Sequence, residues 1–126
     1  MDIIIGGAYQ GKLDYAKEKF AIPAVDVFSC TEEGEIDFSR KCIYHLEKFT
    51  LGCVQKGVNS IEIFEKNRQL WEDSLLICAD IFCGIVPMDA QMRAWREETG
   101  RLMAWLSAQA KTVTRMFCGL PQRIKE

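Results

Sequence analysis

Short apolar runs alternate along this chain with longer segments in which apolar residues recur every three or four positions. Residues 3–5 are three isoleucines, a pattern typical of a central parallel strand buried on both faces. Residues 24–29, 74–80 and 112–118 predict three further strands. Because helical patterns separate these runs, the sequence predicts an α/β fold, with a small, mainly parallel sheet of about four strands and helices on both faces.

The first two helices are predicted from their periodicity and from the residues that end them. One helix is expected from about residue 11 to residue 20, and Pro23 marks its end. Asp37 is a suitable N-cap for a long second helix. That helix has apolar residues at positions 42, 46, 49 and 53, which form one helical face, and Gly57 suits its end.

Two further helices begin at residues that favour helix N-termini. Asn59 has Glu62 three positions later, as in a capping box, and is expected to cap a helix with Phe64 facing inward. Asp89 opens the longest predicted helix, which runs to about residue 108. The chain from Gly119 onward is predicted to be a tail.

Composition and charge exclude several classes of function. The chain has 126 residues, 48% hydrophobic and 27% charged, which predicts a single globular domain over residues 1–126. A net charge of −2 gives no basis for a nucleic-acid or anionic membrane partner. The apolar runs are too short to cross a bilayer, and the first residues lack the features of a signal peptide. The expected location is therefore cytoplasmic.

Six cysteines and a single histidine raise the question of disulfides or a metal site. No two cysteines form a C-x-x-C pair, and most lie within predicted strands or helix faces. In such positions thiols act as small hydrophobic groups. Reduced, buried cysteines are therefore expected rather than disulfides or structural zinc.

The first strand leads into the spacing G-x-x-x-x-G-K at the expected start of the first helix. Glycines allow the backbone N–H groups to curl around a phosphate, the helix dipole favours an anion, and the lysine reaches the β- and γ-phosphates. The candidate binding residues are Gly6, Gly7, Ala8, Tyr9, Gln10, Gly11, Lys12 and Leu13. Leu13 stands where this motif carries a hydroxyl that binds Mg²⁺. The alternative is a plain glycine turn with a solvated lysine.

Asp80 is the second candidate for chemistry because it ends the third predicted strand. The carboxyl ends of parallel strands meet at one edge, so Asp80 is expected near the glycine loop. It is a candidate Mg²⁺ ligand and a candidate for polarising an attacking hydroxyl, with Lys12 as the other catalytic candidate. The alternative for Asp80 is a cap on a nearby backbone group. For three arginines of the last helix, a solvated face is favoured over ligand binding: Arg93, Arg96 and Arg101.

The run Ile-Cys-Ala-Asp-Ile-Phe-Cys-Gly-Ile-Val-Pro at residues 77–87 resembles a known family, as do Arg93-Ala-Trp-Arg96, Gly100-Arg101 and Cys118-Gly119. Residues 6–12, which carry the G-x-x-x-x-G-K spacing, are called the glycine–lysine loop below. Together with this loop, these segments are similar to the adenosylcobinamide kinase/adenosylcobinamide-phosphate guanylyltransferase family of cobalamin biosynthesis. The resemblance implies a three-layer P-loop NTPase-like fold. It implies Mg²⁺ with ATP or GTP, a corrinoid as second substrate, and a homo-oligomer. Family enzymes phosphorylate a corrinoid hydroxyl and then attach GMP through a histidine-linked intermediate.

Three departures from the family pattern leave the function open. Leu13 is expected to weaken Mg²⁺ binding. The chain is shorter than family enzymes in its middle, where the histidine loop belongs. The sole histidine, His45, falls in a helical pattern, which makes guanylyltransferase activity doubtful. Two hypotheses remain: a kinase that transfers the γ-phosphoryl group to adenosylcobinamide, and an inactive nucleotide-binding protein in corrinoid metabolism. A third is an interaction domain with a relic loop.

Overall fold

The computed structural model describes residues 1–6, 11–81 and 89–126. A short 3₁₀ turn, Ala24–Asp26, precedes the second strand, so only the second half of the predicted strand at 24–29 is extended. The strands are β1 Asp2–Gly6, β2 Val27–Ser29, β3 Cys42–Tyr44, β4 Leu75–Ala79, β5 Thr112–Phe117 and β6 Leu120–Lys125. The helices are α1 Lys12–Lys19, α2 Leu46–Lys56, α3 Ser60–Lys66, α4 Arg68–Trp71 and α5 Ala90–Gln109.

The described strands form one sheet in the order β2-β3-β4-β1-β5-β6. The first five strands of this order are parallel, and β6 runs antiparallel to β5. The α/β class and the mainly parallel sheet are therefore confirmed, but this part of the chain has six strands instead of about four. The central strand β1 ends at Gly6, which lies opposite Ala79 of β4 and Met116 of β5.

Helices cover both faces of the sheet, which gives three layers. Ile3 of β1 belongs to the larger core cluster, which contains Leu46 of α2 and Leu102 of α5. Its neighbour Ile4 belongs to a smaller cluster that contains Ala16 of α1. Successive side chains of a strand point to opposite faces. The three-isoleucine run is therefore apolar throughout because α1 packs on one face and α2 with α5 on the other.

The predicted long helix from Asp37 is wrong in its first half. Asp37 begins a turn in which its side chain accepts a hydrogen bond from the Ser39 amide, at 3.1 Å. Cys42 and Ile43 then form a strand, and both are fully buried, one in each core cluster. Burial on two faces needs an extended backbone between two helical layers. A spacing of four between apolar residues could not distinguish that arrangement from a helix that begins earlier.

The predicted tail is also wrong, because residues after Gly119 form β6. Cys118 and Gly119 both have left-handed backbone angles, with φ of 52° and 74°. Two successive left-handed residues make the tight turn that matches the twist of an antiparallel hairpin. Phe117 consequently lies opposite Leu120.

Unlike Asp37, the other two predicted N-caps and the predicted end of the second helix are confirmed. The Asn59 side chain accepts hydrogen bonds from the first-turn amides of α3, and Asp89 does the same for α5. Gly57 ends α2 with a φ of 67°, in the left-handed region that glycine tolerates best. Within residues 1–6, 11–81 and 89–126, no helix combines the length and apolar character needed to cross a membrane.

Candidate phosphate site at the carboxyl edge of the sheet

The end of β1 and the start of α1 frame the predicted phosphate loop. A Cβ placed on Gly6 would lie 2.7 Å from the carbonyl oxygen of Met116, so this position is restricted to glycine by the neighbouring strand. Gly11 has a φ of 76° and immediately precedes α1. Four of the predicted binding residues lie outside the described part of the chain: Gly7, Ala8, Tyr9 and Gln10. Gly6 and Gly11 therefore both occupy positions that favour glycine, one because of a close backbone approach and the other because of its positive φ.

Lys12 is the first residue of α1, and only 6% of it is exposed. Burial lowers the pKa of its amine, whereas the nearby Glu47 carboxylate and, more weakly, Cys78 raise it. A hypothetical Cβ on Gly6 would lie 3.5 Å from the Lys12 Cδ, so the lysine stem runs alongside the end of β1. Lys12 is therefore held at the sheet edge and is not the solvated cation of the alternative hypothesis.

Asp80 follows β4 at the same edge. Its backbone N–H donates a hydrogen bond of 2.7 Å to the carbonyl oxygen of Gly6, which brings the acidic residue beside the start of the loop. Its carboxylate lies 3.9 Å from the Arg115 guanidinium of β5, and 14% of the Asp80 side chain is exposed. The expected convergence of the loop with Asp80 is present, and Arg115 adds a cation that the sequence analysis did not identify.

The Leu13 side chain packs against the core and has no metal-binding group. It is half-buried and packs against the cluster on the α1 face, which includes Ile4 and Ala16. A leucine side chain offers no oxygen to Mg²⁺. The position therefore contributes to the core instead of completing the metal site.

Asp80 is the described residue that best fits a nucleotide-bound Mg²⁺ ion. In the described ranges no three His, Cys, Asp or Glu side chains are grouped so as to hold a metal ion by themselves. Mg²⁺ usually keeps several waters and uses one or two carboxylates together with substrate phosphates. A single carboxylate beside a phosphate loop fits that ligand set.

His45 also lies at this edge of the sheet. The prediction that it lies within a helix is wrong. It follows β3 with a left-handed backbone, φ 62° and ψ 47°, and α2 begins only at the next residue. Its Nδ1 lies 3.0 Å from Oε2 of Glu47, and the other carboxylate oxygen accepts the Ala79 N–H over 2.9 Å. Glu47 is 7% exposed and was also missed. The one sequence signal for His45 and Glu47 was that they follow the short run Cys42–Tyr44. That run was not recognised as a strand because its apolar residues also fit a helical spacing.

Arg101 is exposed and pairs with Glu97 at 3.3 Å, which agrees with the predicted solvated face. Trp95 donates its indole N–H to the Glu47 carbonyl oxygen over 2.7 Å and so joins α5 to α2. Residues 82–88, which include Cys83 and the Gly-Ile-Val-Pro run, lie outside the described residues.

A mainly parallel sheet with a glycine–lysine loop at its carboxyl edge has the features of the P-loop NTPase-like class of α/β proteins. The sequence model of the cobinamide kinase/cobinamide phosphate guanyltransferase family matches residues 42–124, about two thirds of the chain. The chain belongs to that family, which confirms the resemblance. The match runs from β3 into β6 and does not include the glycine–lysine loop. No curated protein matches the chain.

Proposed function

We propose that the chain binds a purine nucleoside triphosphate, ATP or GTP, through the glycine–lysine loop and transfers its γ-phosphoryl group to a corrinoid hydroxyl. The observation that carries this proposal is the position of Lys12, buried beside Gly6 and Gly11 at the edge where Asp80 also lies. Family membership supports cobinamide as the class of acceptor. A guanylyl transfer through histidine is less well supported because the chain has a single histidine.

In this mechanism the residues act by positioning and by charge. The loop amides and the Lys12 amine would hold the β- and γ-phosphates, and the Arg115 guanidinium lies close enough to Asp80 to add positive charge at this edge. Asp80 would hold Mg²⁺ together with phosphate oxygens. When bound, Mg²⁺ neutralises charge on the transferred group. Phosphoryl transfer needs little covalent participation from the protein, so residues that position the phosphates and balance their charge supply most of what the reaction requires.

A second candidate function is supported by Leu13. Because this side chain packs against the core cluster of α1, the site lacks the hydroxyl that commonly binds Mg²⁺ in such loops. An inactive protein that binds nucleotide, or an interaction subunit in corrinoid metabolism, would tolerate this loss. An active kinase would need Asp80 to compensate for it.

Two measurements distinguish these functions. Thermal unfolding with ATP or GTP, with and without Mg²⁺, tests binding, and a ligand at about 100 times its Kd should add roughly 2.7 kcal/mol. Lys12→Ala should abolish the shift, whereas Lys19→Ala, at the exposed end of the same helix, should retain it. Transfer of labelled γ-phosphate to cobinamide then tests catalysis. Binding without transfer supports the inactive protein, and a full shift in Lys12→Ala would contradict both functions.

A further inference from the structure

His45 adopts an unusual backbone conformation at the edge where phosphate is proposed to bind. Its φ of 62° lies in the left-handed region, which is sterically unfavourable for a residue with a side chain. Since β3 is parallel to β4 and β4 to β1, His45 follows the carboxyl end of its strand as Asp80 and the glycine loop follow theirs. Strain of this kind persists where the surrounding structure holds it, and it is often found at functional sites.

Glu47 determines which nitrogen of the His45 ring carries the proton. Its Oε1 accepts the Ala79 N–H at 2.9 Å, and its Oε2 lies 3.0 Å from Nδ1 of His45. An ionised carboxylate can only accept hydrogen bonds, so Nδ1 is the donor. The neutral imidazole therefore has its lone pair on Nε2. The ring of Tyr44 stacks on the imidazole with centroids 3.8 Å apart, which fixes the ring plane.

The same carboxylate connects His45 electrostatically to the phosphate loop. Burial lowers the pKa of Lys12 and raises those of Cys78 and Tyr44, and the Glu47 carboxylate acts on all three groups by raising their pKa. Among the described residues, Glu47 and Tyr44 contact the imidazole; Lys12 of α1, Cys78 of β4 and Cys30 lie within the electrostatic influence of Glu47, and Asp14 of α1 within that of Tyr44. About 31% of the His45 side chain is exposed, so the ring is accessible to a substrate at this edge.

We propose that His45 accepts the proton of the attacking hydroxyl during phosphoryl transfer, and that Glu47 positions it for this role. The inference rests on the proposed function. The hydroxyl oxygen forms a bond to the γ-phosphorus, and the bond from that phosphorus to the β,γ-bridging oxygen breaks. Its electron pair leaves with the nucleoside diphosphate. The hydroxyl proton moves to Nε2, and the Glu47 carboxylate stabilises the resulting imidazolium. Asp80, already paired with Arg115, serves charge and metal binding.

The tautomer can be measured without any enzymatic activity, because His45 is the only histidine. Nitrogen-15 NMR of histidine-labelled protein should show the neutral ring protonated at Nδ1. In Glu47→Gln a single acceptor oxygen faces two donors, the Ala79 N–H and Nδ1–H, so the Nδ1–H population should fall. A wild-type ring protonated mainly at Nε2 would overturn the assigned geometry, as would a Nδ1–H population unchanged in Glu47→Gln.

Kinetics test the catalytic role separately. His45→Asn is the appropriate variant because asparagine tolerates the left-handed backbone. It should retain the nucleotide-induced thermal shift and the KM for nucleotide, while kcat falls about 10²–10⁴-fold. Lys48→Gln, an exposed change in the first turn of α2, should leave kcat unchanged. A fully active His45→Asn variant would overturn the proposed role of His45 and would leave the proposed function intact. A wild-type chain that transfers no phosphate would overturn the proposed function and this role with it.

Discussion

The backbone amide of Asp80 donates a hydrogen bond of 2.7 Å to the carbonyl oxygen of Gly6. This bond joins the carboxyl ends of β4 and β1, at the point where the glycine–lysine loop begins. The acidic residue is thus placed beside the loop by the main chain, independently of its own side chain. Substitutions of the Asp80 side chain should therefore test its chemistry without displacing the loop.

Asp80→Asn is the first such test. If the carboxylate helps to hold Mg²⁺, its loss should weaken Mg²⁺-dependent nucleotide binding by about 10–100-fold, the range seen even for outer-shell partners of metals. Binding without Mg²⁺ should change little. Isothermal titration with and without Mg²⁺ measures both. The control is Asp73→Asn, an exposed position just before the amino end of β4, and this variant should bind as the wild type does. Equal Mg²⁺ dependence in both variants would remove Asp80 from the metal site.

Leu13 allows a matched comparison between a hydroxyl and its absence. Leu13→Ser and Leu13→Ala should each lose about 1–3 kcal/mol of stability, because both remove apolar contacts with the α1-face cluster. Only the serine restores an oxygen that can reach Mg²⁺, so it should bind Mg²⁺–nucleotide more tightly than the alanine variant. Titration of the two variants gives the comparison. Identical affinities would mean that other groups hold the metal.

The charge of Lys12 should reduce the stability of the nucleotide-free protein. Burial lowers the pKa of Lys12 in the folded protein below the ordinary 10.5. The loss of folding stability that the buried charge causes is therefore complete at pH values below the folded-state pKa, and it declines as the pH rises from the folded-state pKa towards 10.5. Lys12→Met should therefore be more stable than wild type near pH 7, with a smaller difference near pH 10. Urea unfolding at both values tests this, with Lys19→Met as the exposed control. A stability difference between Lys12→Met and wild type that grows from pH 7 to pH 10 would contradict the lowered pKa of Lys12.

Gly6→Ala should destabilise the fold at the start of the loop. The added methyl group would meet the Met116 carbonyl oxygen at 2.7 Å, and that oxygen belongs to the backbone of a paired strand. Relief requires β1 and β5 to separate, so a cost of roughly 1–3 kcal/mol is expected from overpacking. Denaturant unfolding measures the change. Wild-type stability in this variant would show that the strands can move apart at little cost.

The described cysteines should differ sharply in reactivity. Cys118 is exposed at the β5–β6 turn, whereas burial raises the pKa of Cys30 and Cys42 to about 12 and that of Cys53 to about 11. Thiolate is the reactive form, so the buried thiols should react with a disulfide reagent only after unfolding. Cys118→Ser should lower the number of rapidly reacting thiols in the native protein by one. Rapid reaction of Cys30, Cys42 or Cys53, identified by mass spectrometry, would contradict their burial.

Local signals were sufficient for a large part of this fold. The isoleucine run of β1, the Asn59 and Asp89 caps and the Gly57 helix end all occupy their predicted places. Each rests on the chemistry of one residue and its near neighbours, which is why it could be read from the chain. The position of Asp80 beside Gly6 also belongs to this group, because the geometry of parallel strands brings their carboxyl ends to one edge.

Other features depended on contacts between distant segments. Cys42 and Ile43 form a strand because helices pack on both faces of the sheet there, and no local pattern records that. The hydrogen bond from the Ala79 N–H to Glu47 likewise exists only once α2 lies against β4. Ala79 is 32 residues away from Glu47 in the chain, so no local pattern indicates this contact.

By itself, the sequence determined the class of fold, two helix caps and the family, because periodicity, turn residues and motif spacing act over short distances. The tertiary structure alone decided that β3 and β6 join the sheet, that Lys12 is buried in the electrostatic field of Glu47, and that Glu47 accepts the Ala79 N–H. Burial and electrostatic environment arise from segments far apart in the chain, so they are defined only when those segments pack together.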